Sequence, residues 1–155
     1  MAELNTDNAI LVVTGASLKA EVMDRPLAYR LKDAIDQAGE PAEGRLAIVI
    51  SDIWYLNTDA LHERPVISVG GPGVNALSQY LWRRIPGALV VEGVLLIQQD
   101  VTYQDLRASI WGMDHETTVE AVETYIGKGY LADFLRAAWD LGPDEDLPAS
   151  HPPLI

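Results

Sequence analysis

The stretch with the most chemical character is Gly70-Gly71-Pro72-Gly73-Val74-Asn75. It follows the apolar run Pro65-Val66-Ile67-Ser68-Val69 and precedes Val74, Leu77, Leu81 and Ile85 at helical spacing. Gly70, Gly71 and Gly73 permit positive φ and close approach of the backbone to a ligand. A helix starting at Pro72 or Val74 would aim free N–H groups outward, where they can hold an anion bearing phosphate or carboxylate. Asn75 can hydrogen-bond a ligand or the next turn. The plain alternative is that Gly70-Gly71 only lets the helix pack close to the sheet. That alternative is preferred, because the run fits neither G-x-G-x-x-G nor a P-loop.

Three other segments carry polar residues just past apolar runs. Thr14-Gly15-Ala16-Ser17 is similar to the opening of the short-chain dehydrogenase cofactor motif, but Leu18-Lys19-Ala20 stand where further glycines are needed. No dinucleotide site and no cofactor are therefore expected. Thr14 and Ser17 remain as ligand contacts, and Lys19 reads as a phosphate contact or, preferably, a solvated surface lysine. Asp52 ends an apolar run; a carboxylate there binds a metal, acts as a base, or caps a turn, and capping is the default. Asp114-His115-Glu116-Thr117-Thr118 has the composition of a helix start, with Asp114 and Thr117, or Thr117 and Glu120, at capping distance. The catalytic reading makes His115 a general base oriented by Asp52 or Asp114, and Thr117 a ligand contact. No G-x-S-x-G and no histidine pair at i, i+4 occur. No metal site is expected.

These segments need rigid elements behind them. Ala9 to Thr14, Leu46 to Ile50 and Pro65 to Val69 are short apolar runs of the kind that form strands buried on both faces. Asp24-Arg25-Pro26 reads as a helix start with Asp24 as N-cap, followed by Leu27, Leu31, Ala34, Ile35 and Ala38 and stopped by Gly39. The segment after Gly15 through Met23 has no clean period, and residues 53–64 are ambiguous. Trp54, Tyr55 and Asn57 there suit a flap or a contact surface. Leu89-Val90-Val91 and Val94 to Ile97 flank Gly93, read as a bulge or bend. Gln99-Asp100 or Gln104-Asp105 turns the chain into Arg107 to Trp111. Helices follow through Val119, Val122 and Ile126, and through Leu131, Phe134, Leu135, Ala138 and Leu141, separated by Gly127-Lys128-Gly129 and stopped by Gly142-Pro143. The alternation predicts an α/β fold: a mainly parallel sheet with helices on both faces and an antiparallel edge hairpin. In such a sheet ligands bind beyond the strand carboxyl ends.

Composition narrows the function classes. The chain has 155 residues and no cysteine, which removes disulfides, thiolate metal sites and a cysteine nucleophile. Residues 1–143 read as one domain, and 144–155, with three prolines and three acids, as a mobile acidic tail. The net charge of −12 repels phosphodiester backbones, so no nucleic acid is expected as a partner despite Arg83-Arg84. The first eight residues are acidic and polar, and Ala88 to Ile97 is too short to span a bilayer. A cytoplasmic protein with no membrane contact is expected.

Val66-Ile67-Ser68-Val69-Gly70-Gly71-Pro72-Gly73-Val74-Asn75, with Ser109 to Thr117, resembles the strand–glycine-turn and acidic helix-start segments of archaeal S-layer protein α/β domains. The strand–glycine pattern is similar to the cell-wall-binding repeat domains of bacterial surface proteins. The chain departs from both in having no export signal and no repeats. The resemblance implies an α/β domain with a structural or binding role. With four tryptophans and six tyrosines, a non-catalytic module acting through a protein partner or self-association is the expectation. The alternative is a small-ligand binder or enzyme at the strand carboxyl ends.

Overall fold

Ile10-Leu11-Val12-Val13-Thr14 is buried at every position, as a run without charge must be when sheet and helices enclose both its faces. In the computed structural model, which describes residues 8–40 and 42–141, this strand β1 (Ile10–Thr14) lies between two parallel neighbours in a mixed six-stranded sheet. The others are β2 (Ala47–Ser51), β3 (Val66–Val69), β4 (Gly87–Val91), β5 (Leu95–Gln99) and β6 (Arg107–Gly112), in the order β2-β1-β3-β6-β5-β4. β2, β1, β3 and β6 are parallel; β5 and β4 run antiparallel at one side. The expected tail, 144–155, and the expected stop at Gly142-Pro143 lie outside the described residues.

Alternation along the strands assigns the two faces. Ile10, Val12, Ile67, Val69, Ala108 and Ile110 pack with α2 (Arg25–Gly39), α5 (His115–Gly127) and α6 (Tyr130–Ala138). Leu11, Val13 and Val66 face the other way, onto Tyr55 of α3 (Asp52–Leu56) and onto Leu77 and Leu81 of α4 (Ala76–Leu81). Helices therefore cover both faces. Ser68, Ser78 and Ser109, all small and buried, let α4 close on the sheet. Ser78 donates to the Gly70 carbonyl at 2.5 Å, and the Ser68 and Ser78 hydroxyls are 2.7 Å apart.

Several local expectations change. Residues Leu18–Met23 form a helix, α1, that buries only Ala20, with Leu18 and Val22 facing solvent; no apolar stripe announced it. The ambiguous 53–64 segment holds α3 and a 3-10 turn, Asp59–Glu63. The helix expected from Val74 to Ile85 is confined to α4, because Asn75 caps it and the chain turns after Leu81. Gly93, with φ +74°, is the turn of the β4–β5 hairpin; the bulge sits between Gly87 and Leu89 instead. Asp100 organises the β5–β6 turn, accepting from Thr102 N and Asp105 N.

The sheet's two edges differ. At the start of β2, Asp36 Oδ1 accepts from Ala47 N at 2.9 Å, and Lys32 Nζ donates to the Ala47 carbonyl at 2.7 Å. At the other edge β4 carries no charged side chain, and Val90 is 63% exposed. An uncharged exposed edge is a template for a further strand.

Candidate functional site

β1 connects toward β2 on one side, and β3 returns on the other side of β1. The loops after β1 and β3 thus diverge at the topological switch point, where α/β sheets hold ligands. The Pro72-Gly73-Val74 loop divides this edge into two cavities. One, of about 230 Å³, is lined by residues of α1 and its end (Lys19, Met23, Asp24), the glycine turn, and Trp111 to His115. The other, wider and of about 440 Å³, is lined by Ser17, Asp52, Ile53, Asn75, Ala76 and Gln79 with the other side of the loop. The four strand ends do not share a single cleft.

Most polar candidates prove to be ties within the fold. Asn75 is 1% exposed and makes four side-chain hydrogen bonds. Its Oδ1 accepts from Leu77 N (2.9 Å) and Ser78 N (3.2 Å), and its Nδ2 donates to the carbonyls of Val13 (3.2 Å) and Val69 (2.9 Å). Asp52 Oδ2 accepts from Ala76 N at 2.8 Å, and Oδ1 from Ile53 N at 2.7 Å. Val74 N and Asn75 N both donate to the Gly71 carbonyl. The N–H groups at the start of α4 are therefore all engaged within the fold, in line with the preferred reading of the glycine turn as a packing junction rather than an anion site. Ser17 caps α1 through Ala20 N at 3.2 Å. Thr14 is buried on the α2 side of β1 and lines neither cavity; its Oγ1 has no partner among the described residues.

Asp114 and Thr117 form a reciprocal capping box on α5. Asp114 Oδ1 accepts from Thr117 N at 2.8 Å, and Thr117 Oγ1 accepts from Asp114 N at 3.0 Å. The backbone N–H of Thr117, then its hydroxyl, hold the Asp114 carboxyl below the usual range. His115 lines the smaller cavity, Asp52 the other, and no hydrogen bond joins His115 to Asp114. The general-base pair considered for His115 is not assembled. His62 donates to or accepts at no cavity wall of this edge; its Nε2 is 2.7 Å from the Tyr55 carbonyl and its ring packs on Tyr55.

The residue that sequence reasoning missed is Asp24. It was expected to cap α2, yet it stands at the α1–α2 junction with φ −96° and ψ −32° and makes no capping bond. Its carboxylate lies instead beside Gly70, whose φ is +109° and where a Cβ would come within 2.7 Å of Asp24 Oδ2. Glycine is needed there on both counts. Asp24 is 7% exposed, lines the smaller cavity, and has no hydrogen-bond donor among the described residues. Burial pushes its pKa above the usual range, partly offset by His115 and then Lys19. The cavity's apolar wall comprises Met23, Val74, Met113 and Trp111. Trp111 packs on Trp82 at 5.4 Å, and its indole N–H is buried without an acceptor among the described residues.

The raised pKa has a sign that can be checked. A carboxyl that holds its proton more tightly when folded favours the fold most below its unfolded pKa, and loses that contribution as pH rises through the folded pKa. Asp24→Asn is accordingly expected to stabilise the protein by about 1 kcal/mol at pH 7 by removing an unpaired buried charge. The gain shrinks as the medium is acidified toward pH 4. Urea unfolding of both proteins at the two pH values measures it.

Leu18, Val22, Ile53, Trp54 and Met113 form an exposed apolar series along the same edge. Among the described residues, no three histidine or acidic side chains converge to hold a metal. Comparison with protein-family models, curated proteins and solved structures found no match for this chain.

Proposed function

We propose that this chain is a non-catalytic binding module that holds a small polar ligand in the cavity between Asp24, the glycine turn and the start of α5. One observation carries this reading: Asp24 is a buried residue whose carboxylate has no hydrogen-bond donor among the described residues and which lines a cavity at the switch point. Asn75, Asp52, Ser17, Asp114 and Thr117 are engaged in bonds that hold the fold, which supports binding over acid–base catalysis. The absence of cysteine and of any helix long and apolar enough to cross a membrane among the described residues supports a cytoplasmic setting. The likeness of the glycine-turn segment to S-layer α/β domains also supports a binding or structural role.

A thermal-shift screen of small amines, alcohols, amides and carboxylic acids tests the reading. The expected result is a stabilising compound whose shift is lost in Asp24→Asn. A shift that survives this substitution unchanged, or no shift with any compound, would overturn it.

A second reading, self-association, is favoured by the β4 edge. Val90 is exposed there, as are Tyr80 on α4 and Trp82 at its C-cap. Two copies of β4 paired antiparallel would extend the sheet through this uncharged edge. Sedimentation is expected to find a dimer that Val90→Lys dissociates. A wild-type monomer at 100 μM, or a dimer indifferent to Val90→Lys, would refute this pairing.

A further inference from the structure

Resting on the reading of the smaller cavity as a ligand site, we propose that its ligand is a zwitterion on a short scaffold, an α-amino acid or a close analogue. The cavity's polar groups have opposite demands at its two sides. Asp24, on the β3 side, is 7% exposed and has no donor among the described residues, so it calls for an ammonium or another strong donor. A ligand carrying only negative charge would meet this carboxylate unpaired in a poorly solvated site.

The α5 side calls for an acceptor. Thr117 N and Thr118 N are taken by Asp114, through Oδ1 and its carbonyl, while His115 N and Glu116 N have no acceptor among the described residues. α5 has thirteen residues, so its first turn presents these N–H groups at the positive end of a full helix dipole. The His115 ring and Lys19, which belongs to α1 beside Asp24, line the same cavity, and both act electrostatically on Asp24. A ligand carrying only positive charge would meet Lys19. Asp114, at the exposed mouth, is already bonded through its Oδ1 to Thr117. Between the two sides, Trp111, Met23 and Met113 offer an apolar wall to a hydrocarbon side chain.

Size agrees. About 230 Å³ holds roughly eight water molecules at about 30 Å³ each. That suits an amino acid.

Calorimetric titration of the full chain with the protein amino acids tests this, followed by the amide and the N-acetyl form of the best binder. The expected result is an amino acid whose affinity falls at least tenfold on amidation and at least tenfold on N-acetylation. Asp24→Asn should weaken the amino acid tenfold or more and the N-acetyl form little. Lys19→Ala should weaken the amino acid and leave the amide unaffected. If the amide or the N-acetyl form binds as well as the parent, the zwitterion assignment is wrong while the cavity reading stands. If no amino acid binds but another small polar compound does, with loss in Asp24→Asn, the assignment again fails and the cavity reading stands. If no small polar compound of any class binds, both fail.

Discussion

Asn75→Ala is expected to destabilise the protein by about 3 to 5 kcal/mol, with urea unfolding as the measurement. The cost has two sources. Removing Oδ1 uncaps α4 at Leu77 N and Ser78 N, a loss of about 1 kcal/mol for a typical N-cap. Removing Nδ2 strips the buried carbonyls of Val13 and Val69 of a donor, at about 1 to 2 kcal/mol each. Asn75→Asp separates the two. It keeps the cap acceptor but turns a negative oxygen toward both carbonyls, so it should be no milder than alanine. A loss below about 1 kcal/mol in Asn75→Ala would mean that this side chain is not the tie between β1, β3 and α4 that its bonds describe.

Gly15→Ala should be nearly as damaging. An ideal Cβ at Gly15 falls 1.8 Å from the Val74 carbonyl oxygen. That oxygen belongs to a loop held by Asn75 and Asp52, so it cannot retreat cheaply, and a destabilisation of about 3 kcal/mol or more is expected. Gly73→Ala is the internal control. A Cβ there meets nothing within 4 Å and Gly73 has no positive φ, so stability should change by less than about 1 kcal/mol. Thermal unfolding of the two variants side by side measures the contrast. Equal effects would show that the glycine turn does not sit against the end of β1 as described.

The strands and their class were legible because continuous apolar runs such as Ile10–Val13 have few other uses in a chain of this composition. The Asp114–Thr117 box was legible because both partners lie within one turn. α1 was not, since its apolar residues Leu18 and Val22 face outward and leave no stripe. With α1 unseen, Asp24 looked like the first residue of a helix rather than the joint between two. Its actual surroundings depend on Gly70, Lys19 and His115, brought together only by tertiary packing. Asn75 was noticed for its position, and of its two readings the bond to the next turn is the one observed, while its ties to two strands were unforeseen. The two carbonyls it ties belong to adjacent parallel strands, and that adjacency is not written in any local pattern. Asp52 followed the same rule, since its long-range partner Ala76 lies 24 residues away.

The central claim is that Asp24 is the unpartnered carboxylate of this edge while Asp114 is a working cap. A carbon-detected NMR titration of the aspartate side-chain carboxyls measures it directly. The predicted result is that Asp24 titrates above the usual range of about 3.9 and Asp114 below it. In Thr117→Val, which removes the hydroxyl, Asp114 should move upward while Asp24 stays in place. An Asp24 that titrates at or below the usual value would mean its carboxylate already has a donor in the protein, and would contradict its assignment as the group that awaits a ligand.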